Sequence, residues 1–400
     1  MRQPKPDLLT DDVVDDWSTE RPAAQDIYAC KLVTPLYGGG VEAGEVDANM
    51  PIRASAIRGQ LRFWWRLTRG GSLSGSDLFE RERSIFGGIG SGKPTASKVA
   101  VRVRGRPCVA ADWRKSDGKS RGVAYAYGPA AIDTARNWLN AGYEFNLELT
   151  YPDALREEVL APLRWWASFG GLGARTRRGF GAVHVTGLDP VSATEARACG
   201  GVLRFADRPG RNAEVAWNAA VEKLYQFRQG PDVARKARPG APGRSFWPEP
   251  DQLRRFTDRD ANGDHSPVHE AGNVFPRAAF GMPILFHFKG KGEPPDLELV
   301  PQNGSDRMAS PLVLRPYWTG DGWQPCALLL PGWERAASTE LRLRDVRLQR
   351  DTDHTPGHWP ANQASAGAIA ARIAPMCHDG DGQPRASDPL RAFLDYFERG

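Results

Sequence analysis

Hydrophobic and polar positions in the first half of the chain follow the periods of short strands and amphipathic helices. The pattern predicts four strands and two helices in the order β-α-β-β-α-β, at residues 26–34, 54–69, 97–104, 143–150, 152–169 and 180–187. Residues 97–104 alternate apolar and basic side chains, as a half-buried strand does. Residues 105–140 show no such period and are interpreted as an irregular insertion. This order predicts a ferredoxin-like split βαβ unit.

The second half has weaker periodicity. It contains a helical pattern at 211–228, a Pro/Gly/Arg/Asp-rich connection, a polar loop-like stretch and a short terminal helix, with strand-like runs between them at 282–289, 311–318, 325–330 and 340–347. The connection covers residues 229–272, the loop-like stretch 351–387 and the last helix 388–398. We interpret this half as a second, degenerate ferredoxin-like unit with long insertions. The predicted fold class is α+β, with domains at 1–200 and 201–400.

Composition fits a globular protein with a basic surface. The 400 residues are 40% hydrophobic and 25% charged, with a net charge of +5 and a pI near 9.0. Only 10 of the 53 basic residues are Lys. Arginine pairs bidentately with phosphate and stacks on bases, but a GC-rich genome would enrich it as well. The charge therefore permits a nucleic-acid partner without requiring one.

The five cysteines are scattered and form no CxxC pair, which favours reduced thiols in the cytoplasm. The first residues are acidic and lack the apolar core of a signal peptide. No apolar run reaches the length of about 18 residues that a membrane span needs. We expect a cytoplasmic protein without a membrane partner.

The predicted helix at 54–69 has one basic face and one apolar face. At about 100° per residue, one narrow sector contains Arg58, Arg62, Arg66 and Arg69. The opposite side contains Ile57, Leu61, Phe63, Trp64 and Leu67, and we interpret the tryptophans as core. A solvated charged face is the alternative to a nucleic-acid contact, but the stripe contains no acid.

The segment 169–181 lies between the second predicted helix and the last predicted strand, and it contains five glycines interleaved with three arginines. Glycine lets the backbone approach a ligand and exposes its N–H groups, and Arg175, Arg177 and Arg178 add guanidinium groups. A plain helix-to-strand turn is the alternative, although it needs fewer glycines. We favour a phosphate-contacting loop.

Other chemistry has weak support in the sequence. Residues 87–95 resemble a nucleotide P-loop, but Pro94 replaces the magnesium-binding hydroxyl and a strand, not a helix, is predicted to follow. The pairs His265/His269 and His354/His358, even with Cys377-His378, lack the helical context of a zinc site. No histidine precedes His184. Tyr28, Lys31 and Tyr37 are the remaining candidate bases of the first unit, and each is more simply a strand or loop residue.

Ordered blocks of the sequence resemble a known family. Residues 34–40 (TPLYGGG), 57–66 (IRGQLRFWWR) and 82–87 (ERSIFG) resemble the opening of the RAMP proteins of type III CRISPR systems. The segment 169–181 is similar to their glycine-rich signature. The blocks 243–249, 275–284 and 309–315 resemble the second half of the subunits numbered first in type III-B (Cmr) complexes. The resemblance spans about residues 27–318.

The resemblance implies two tandem ferredoxin-like (RRM-like) folds in an effector-complex subunit without nuclease activity or cofactor. Its implied partners are the 3′ part of the guide RNA, the paired target RNA and other RAMP subunits. We therefore predict no catalytic or metal residues, and RNA contacts at Gly38, Gly39, Gly40, Arg53, Arg58, Arg62, Arg175, Arg177, Arg178 and Arg244. In a ferredoxin-like fold Arg53 and Arg58 would converge with the three loop arginines. Two alternatives stay open: a RAMP endoribonuclease acting on guide precursor or target, and a generic assembly scaffold.

Overall fold

The computed structural model of the chain describes residues 24–42, 44–90, 94–112, 120–128, 137–207, 210–239, 243–258, 266–378 and 382–399. These residues form two compact units whose segments interleave along the sequence. The first unit contains the described residues up to Ala111, with Asn137–Ala174 and Val183–Pro190. The second contains those of 112–136, Arg175–Ala182 and the residues from Val191 onward. A division at residue 200 stays a prediction.

The first unit is built on a four-stranded antiparallel sheet. Its strands are β1 (Ala24–Leu32), β3 (Ala100–Gly105), β6 (Glu144–Tyr151) and β7 (Val183–Val185). The order across the sheet is β3-β6-β1-β7, with Cys30 of β1 opposite both Phe145 and Val185. In this order the first and last strands of the β-α-β-β-α-β unit are neighbours, as the ferredoxin-like fold requires. The predicted fold of this half is confirmed.

Two helices pack together in this unit, α1 (Ala54–Leu67) and α4 (Arg156–Phe169). Trp64 of α1 has its ring centre 5.9 Å from that of Trp165 and 6.2 Å from that of Phe169. Trp64 and Trp65 are both buried, which confirms the prediction that these tryptophans belong to the core. Aromatic rings at such separations gain energy beyond their buried area.

The first half also contains elements that the sequence pattern did not predict. They are β2 (Leu36–Tyr37), α2 (Gly75–Phe86), β4 (Ala111–Asp112), α3 (Arg121–Tyr127) and β5 (Asn137–Leu139). Strand β2 pairs with β5, with Leu36 opposite Leu139. Helix α3 begins after Ser120, whose hydroxyl accepts a hydrogen bond from Val123 N at 3.1 Å. The segment 105–140 is therefore less irregular than predicted.

The second unit repeats the pattern without the last strand. In chain order its elements are β8 (Val202–Phe205), α6 (Ala213–Gln229), β11 (Leu312–Trp318), β12 (Trp323–Leu329) and α10 (Pro389–Arg399). The sheet order is β11-β12-β8, which is the ferredoxin-like order without its fourth strand in the described residues. Helices α6 and α10 pack through Phe227 and Phe393, whose ring centres are 5.3 Å apart. This confirms the prediction of a second, degenerate ferredoxin-like unit.

Long insertions interrupt this second repeat. A separate antiparallel sheet has the order β14-β13-β10-β9 and consists of β9 (Ile284–Phe286), β10 (Leu297–Pro301), β13 (Leu341–Asp345) and β14 (Arg350–Asp351). The remaining helices are α5 (Ala193–Ala198), α7 (Glu249–Phe256), α8 (Glu334–Ala337) and α9 (Gln363–Ala370), with short 3-10 turns at Asp153–Leu155, Thr176–Arg178, Pro276–Phe280 and Ala374–Met376. None of the described helices is both long and apolar enough to cross a membrane.

Helices α7 and α9 correct two sequence predictions. Helix α7 lies in the connection 229–272, which has no clear periodicity in the sequence, and α9 lies in the stretch 351–387 predicted to be loop-like. Helix α9 consists mostly of Ala and Gly, so it has no amphipathic pattern to detect. Its start is fixed by Asn362, whose side-chain oxygen accepts a hydrogen bond from Ala364 N at 2.9 Å.

Candidate nucleic-acid interface

The glycine turn Gly38–Gly40 follows β2 and bends sharply. Gly38 and Gly39 have φ angles of 65° and 96°, a backbone region that side chains other than glycine rarely adopt. The guanidinium of Arg53, just before α1, donates hydrogen bonds to the carbonyl oxygens of Gly39 and Gly40. Gly39 is exposed. Gly38 is buried, and Gly40 and Arg53 are partly exposed, so Gly39 is the exposed tip of the turn and the guanidinium of Arg53 lies beside it.

The first part of the glycine-rich segment lies against this turn. Ala174 N donates a 2.7 Å hydrogen bond to the carbonyl oxygen of Tyr37. A Cβ atom on Gly173 would lie 2.4 Å from the same oxygen, so the close approach requires glycine there. Gly173 and Ala174 are both exposed. Within the first unit, the two predicted glycine sites are therefore parts of one surface.

The basic face of α1 is largely matched by acids from other elements. Buried Glu82 of α2 accepts hydrogen bonds from Arg62 and, at 2.6 Å, from Arg66. Burial alone would raise the pKa of Glu82, but the hydrogen bonds and charges of the two arginines outweigh it and lower the pKa. Arg69 lies 3.8 Å from Glu158 of α4. Acidic side chains of α2 and α4 thus balance much of the positive charge on the basic face of α1.

Arg58, on the same helix, is bound to the chain itself. Its guanidinium donates to the carbonyl oxygen of Phe86. Burial, and then the charge of Arg62, lower the pKa of Arg58. Of the three predicted contacts from this region, Arg53 lies at the exposed turn, whereas Arg58 and Arg62 support the packing of α1 on α2. All three stay predictions as RNA contacts.

The loop arginines belong to the second unit, because the glycine-rich segment passes from one unit to the other after Ala174. Arg175 is exposed and has a φ angle of 60°. Arg177 donates to the carbonyl oxygen of Ser310, and Arg178 donates to that of Phe280 at 3.0 Å. Burial lowers the pKa of both Arg177 and Arg178, that of Arg178 to about 9. Arg177 and Arg178 therefore help to hold the loop in place.

Convergence of the two arginine sets stays a prediction. Arg53 and Arg58 lie in the first unit, whereas Arg175, Arg177 and Arg178 lie in the second. Within the first unit, the contact between Gly38–Gly40 and Gly173 brings two of the predicted sites together.

Arg244 is engaged in an ion pair within an insertion of the second unit. One of its terminal nitrogens lies 3.0 Å and 2.9 Å from the two carboxylate oxygens of Asp251. Burial would raise the pKa of Asp251, but the hydrogen bonds from Arg244 and from the backbone amides of Val268 and His269 lower it. Its role as an RNA contact stays a prediction.

The P-loop-like segment and the histidines do not assemble into a site in the described residues. Gly88 and Thr95 exchange two backbone hydrogen bonds ahead of strand β3, so the loop is followed by a strand, as predicted. His354 stacks on Phe256 at 5.0 Å, and the thiol of Cys377 donates to Ala370 O. His265 lies outside the described residues. Across the described ranges, no three His, Cys, Asp or Glu side chains could jointly hold a metal ion.

One protein-family model matches part of the chain. The family model described as the RAMP superfamily matches residues 29–184, which run from β1 to β7. The match covers less than half of the chain, and it confirms the resemblance to RAMP proteins inferred from the sequence blocks. No curated protein sequence matches the chain.

Two solved structures are similar to the chain at low sequence identity. One is the crystal structure of apo Cmr1 from Pyrococcus furiosus, with 16% identity, a TM-score of 0.43, and coverage of 77% of this chain and 88% of Cmr1. The other is a chain of the type III-B Cmr-beta complex bound to cognate target RNA and AMPPnP, with 8% identity and a TM-score of 0.39. This second match covers 78% of this chain and 96% of the other.

Proposed function

We propose that the chain is a non-catalytic, RNA-binding subunit of a cytoplasmic type III-B CRISPR effector complex. Its partners are the 3′ part of the guide RNA, the paired target RNA and other RAMP subunits of the complex. The match of residues 29–184 to the RAMP superfamily model supports this proposal, as do the ordered sequence blocks that resemble the first-numbered Cmr subunits.

The observation that carries the proposal is the surface at exposed Gly39 and exposed Gly173, with partly exposed Arg53 beside Gly39. Two glycine segments in backbone contact leave no side chains to hold a ligand away from the main chain. Arg53 supplies a positive charge that is fixed by the carbonyl oxygens of Gly39 and Gly40. Such a surface contacts a sugar–phosphate backbone without reading bases, as a subunit that serves many different guides must do.

The first unit's candidate reactive groups are held in unreactive states, which favours binding over catalysis. Burial raises the pKa of Tyr28 to about 12 and that of the Cys30 thiol to about 12, so neither ionises near neutral pH. The amine of Lys31 lies 3.2 Å from Glu144. A lysine amine held against a carboxylate is poorly placed to take a proton from a substrate.

Labelled single-stranded RNA incubated with the purified chain tests the proposal. Binding without cleavage is expected. Arg53→Ala should weaken the affinity by about 1–3 kcal/mol, because a charge-assisted contact is lost. The matched control is Arg69→Ala, at the other end of α1, which should bind RNA nearly as wild type does. RNA cleavage would favour an endoribonuclease, and absence of binding would favour an assembly scaffold.

A further inference from the structure

Four arginines of the second unit surround the aromatic side chains of Tyr125 and Phe280, and together form the arginine cluster: Arg178, Arg228, Arg235 and Arg277. The guanidinium carbon of Arg228 lies 5.2 Å from the centre of the Phe280 ring and 5.9 Å from that of Tyr125. Arg178 donates to the carbonyl oxygen of the same Phe280 at 3.0 Å. The charge of Arg277 lowers the pKa of both Arg228 and Arg235, after the larger effect of burial. The four charges therefore act on one another.

The negative charge around the cluster does not match its positive charge. In the described part of the chain, Glu249 is the one carboxylate that pairs with a member of the cluster. This carboxylate is fully buried, lies 3.2 Å from Arg277 Nε and accepts a 2.8 Å hydrogen bond from Arg277 N. Arg235 donates to neutral acceptors, the side chain of Gln229 at 2.8 Å and Gly243 O at 3.3 Å. One acid thus faces four guanidinium groups.

Arg228 is the least satisfied member of the cluster. Its Nε is buried and has no hydrogen-bond partner among the described residues. The rings of Tyr125 and Phe280 offer only cation–π attraction. A buried guanidinium without acceptors is costly unless an anion joins it. As whole residues, Arg178, Arg228 and Arg235 are partly and not fully buried.

We propose that the arginine cluster binds one phosphate group, with Arg228 as the central ligand and Arg178 and Arg235 beside it. A phosphate offers several acceptor oxygens and a full negative charge, which guanidinium groups match in geometry. The phosphate belongs either to the backbone of RNA or to a small free anion. The RNA source rests on the proposed function, whereas the phosphate site itself does not.

Thermal unfolding of the full chain in inorganic phosphate, against chloride at equal ionic strength, tests the site. A ligand that binds only the folded state raises the midpoint with its concentration. Wild type should show this rise and Arg228→Gln should not. Without phosphate, Arg228→Gln should unfold no earlier than wild type, because it removes an unmatched charge. Arg335→Gln, at an exposed position of α8, is the control and should keep the rise. Equal phosphate responses in wild type and Arg228→Gln would overturn the proposal.

A second variant covers the case in which Arg228→Gln does not fold. Arg228→Lys keeps the charge but loses the planar fork. Its affinity for inorganic phosphate should be about tenfold weaker than that of wild type, in line with one lost charge-assisted hydrogen bond. Phosphate affinity equal to that of wild type would count against Arg228 as the central ligand.

RNA titrations identify the source of the phosphate and separate this inference from the proposed function. If the ligand is RNA, Arg228→Gln should bind it at least about tenfold more weakly. Inorganic phosphate should then compete with RNA. Unchanged RNA affinity with a lost phosphate response assigns the site to a small free anion. If wild type binds no RNA yet responds to phosphate, the proposed function fails and the site stands.

Discussion

At the scale of single residues, the arginines differ in how far the chain itself satisfies their charge. Arg62 and Arg66 share buried Glu82, and Arg244 is held by Asp251. Arg178 is satisfied by backbone carbonyl oxygens. Since carbonyl oxygens accept hydrogen bonds but carry no full charge, Arg178 keeps a positive field that an anion can use.

The loop arginines should therefore differ in their effects on stability. From the sequence alone, replacing Arg175, Arg177 and Arg178 together is expected to spare stability. The carbonyl partners change that expectation for Arg178, whose loss leaves the acceptors at Phe280 and Leu312 unpaired. We expect Arg178→Ala to lower the free energy of unfolding by about 1–3 kcal/mol. Exposed Arg175→Ala should keep thermal stability while weakening RNA binding. Urea denaturation with RNA titration checks both, and equal stability of the two variants would contradict the assignment.

Glu82 should make stability depend on pH in acid. Its pKa lies below the ordinary value of 4.5, so the folded state binds its proton less tightly than the unfolded state does. The stabilisation is present above that value and is lost as pH falls through the folded pKa. Glu82→Gln should cost about 1–2 kcal/mol at pH 7, after allowance for the exposure of its arginine partners. The difference from wild type, measured by urea denaturation, should narrow below about pH 4.5. A difference independent of pH would argue against the ion pair.

At the scale of elements, the contact between the glycine turn and the glycine-rich segment depends on Gly173. Its φ angle is 75°, and an added Cβ would meet Tyr37 O at 2.4 Å. Gly173→Ala should destabilise the protein by about 1–3 kcal/mol and weaken RNA binding, because the turn is pushed away. The control is Gly59→Ala on α1, where an added Cβ has no neighbour within 4 Å. That change should stabilise the helix by about 0.5–1 kcal/mol. Thermal unfolding of both variants is the measurement.

The sequence pattern predicted elements with a strong apolar period and missed those without one. Helix α1 and strand β6 lie within a few residues of their predicted positions, because their buried faces repeat at 3.6 and 2 residues. Helix α9 is rich in Ala and Gly on all faces, so its sequence shows no stripe. Strand β14 is a two-residue edge element, stabilised by pairing with β13 rather than by its own pattern.

The candidate site was predictable only where its residues are close in sequence. The turn Gly38–Gly40 and the segment 169–181 are dense local signals. Apart from Arg178, the arginine cluster was missed, because Arg178, Arg228 and Arg277 come from three separate segments and no sequence period connects them. The sequence also did not show the partner of Arg62, because Glu82 belongs to α2 and not to the helix of Arg62.

At the scale of the whole molecule, the net charge of +5 is the small difference between 53 basic and 48 acidic residues. It does not show which basic residues are paired within the fold. Many arginines are used inside the fold, in pairs such as Arg254 with Glu293 and Arg277 with Glu249. Arginine enrichment is therefore partly structural, in addition to any effect of genome composition. RNA affinity should depend on a small set of arginines and not on total charge.

RNA binding by the full chain should consequently depend on salt in proportion to a few phosphate contacts. For single strands, the slope of log K against log salt is about −0.7 per phosphate neutralised. Four to six engaged arginines should give a slope of roughly −3 to −4. An oligonucleotide and its scrambled version should bind equally, because backbone contacts carry no sequence information. Filter binding over a salt series, with both oligonucleotides, measures both quantities. A slope near zero, or a strong preference for one sequence, would contradict backbone recognition by the glycine turn and its neighbouring arginines.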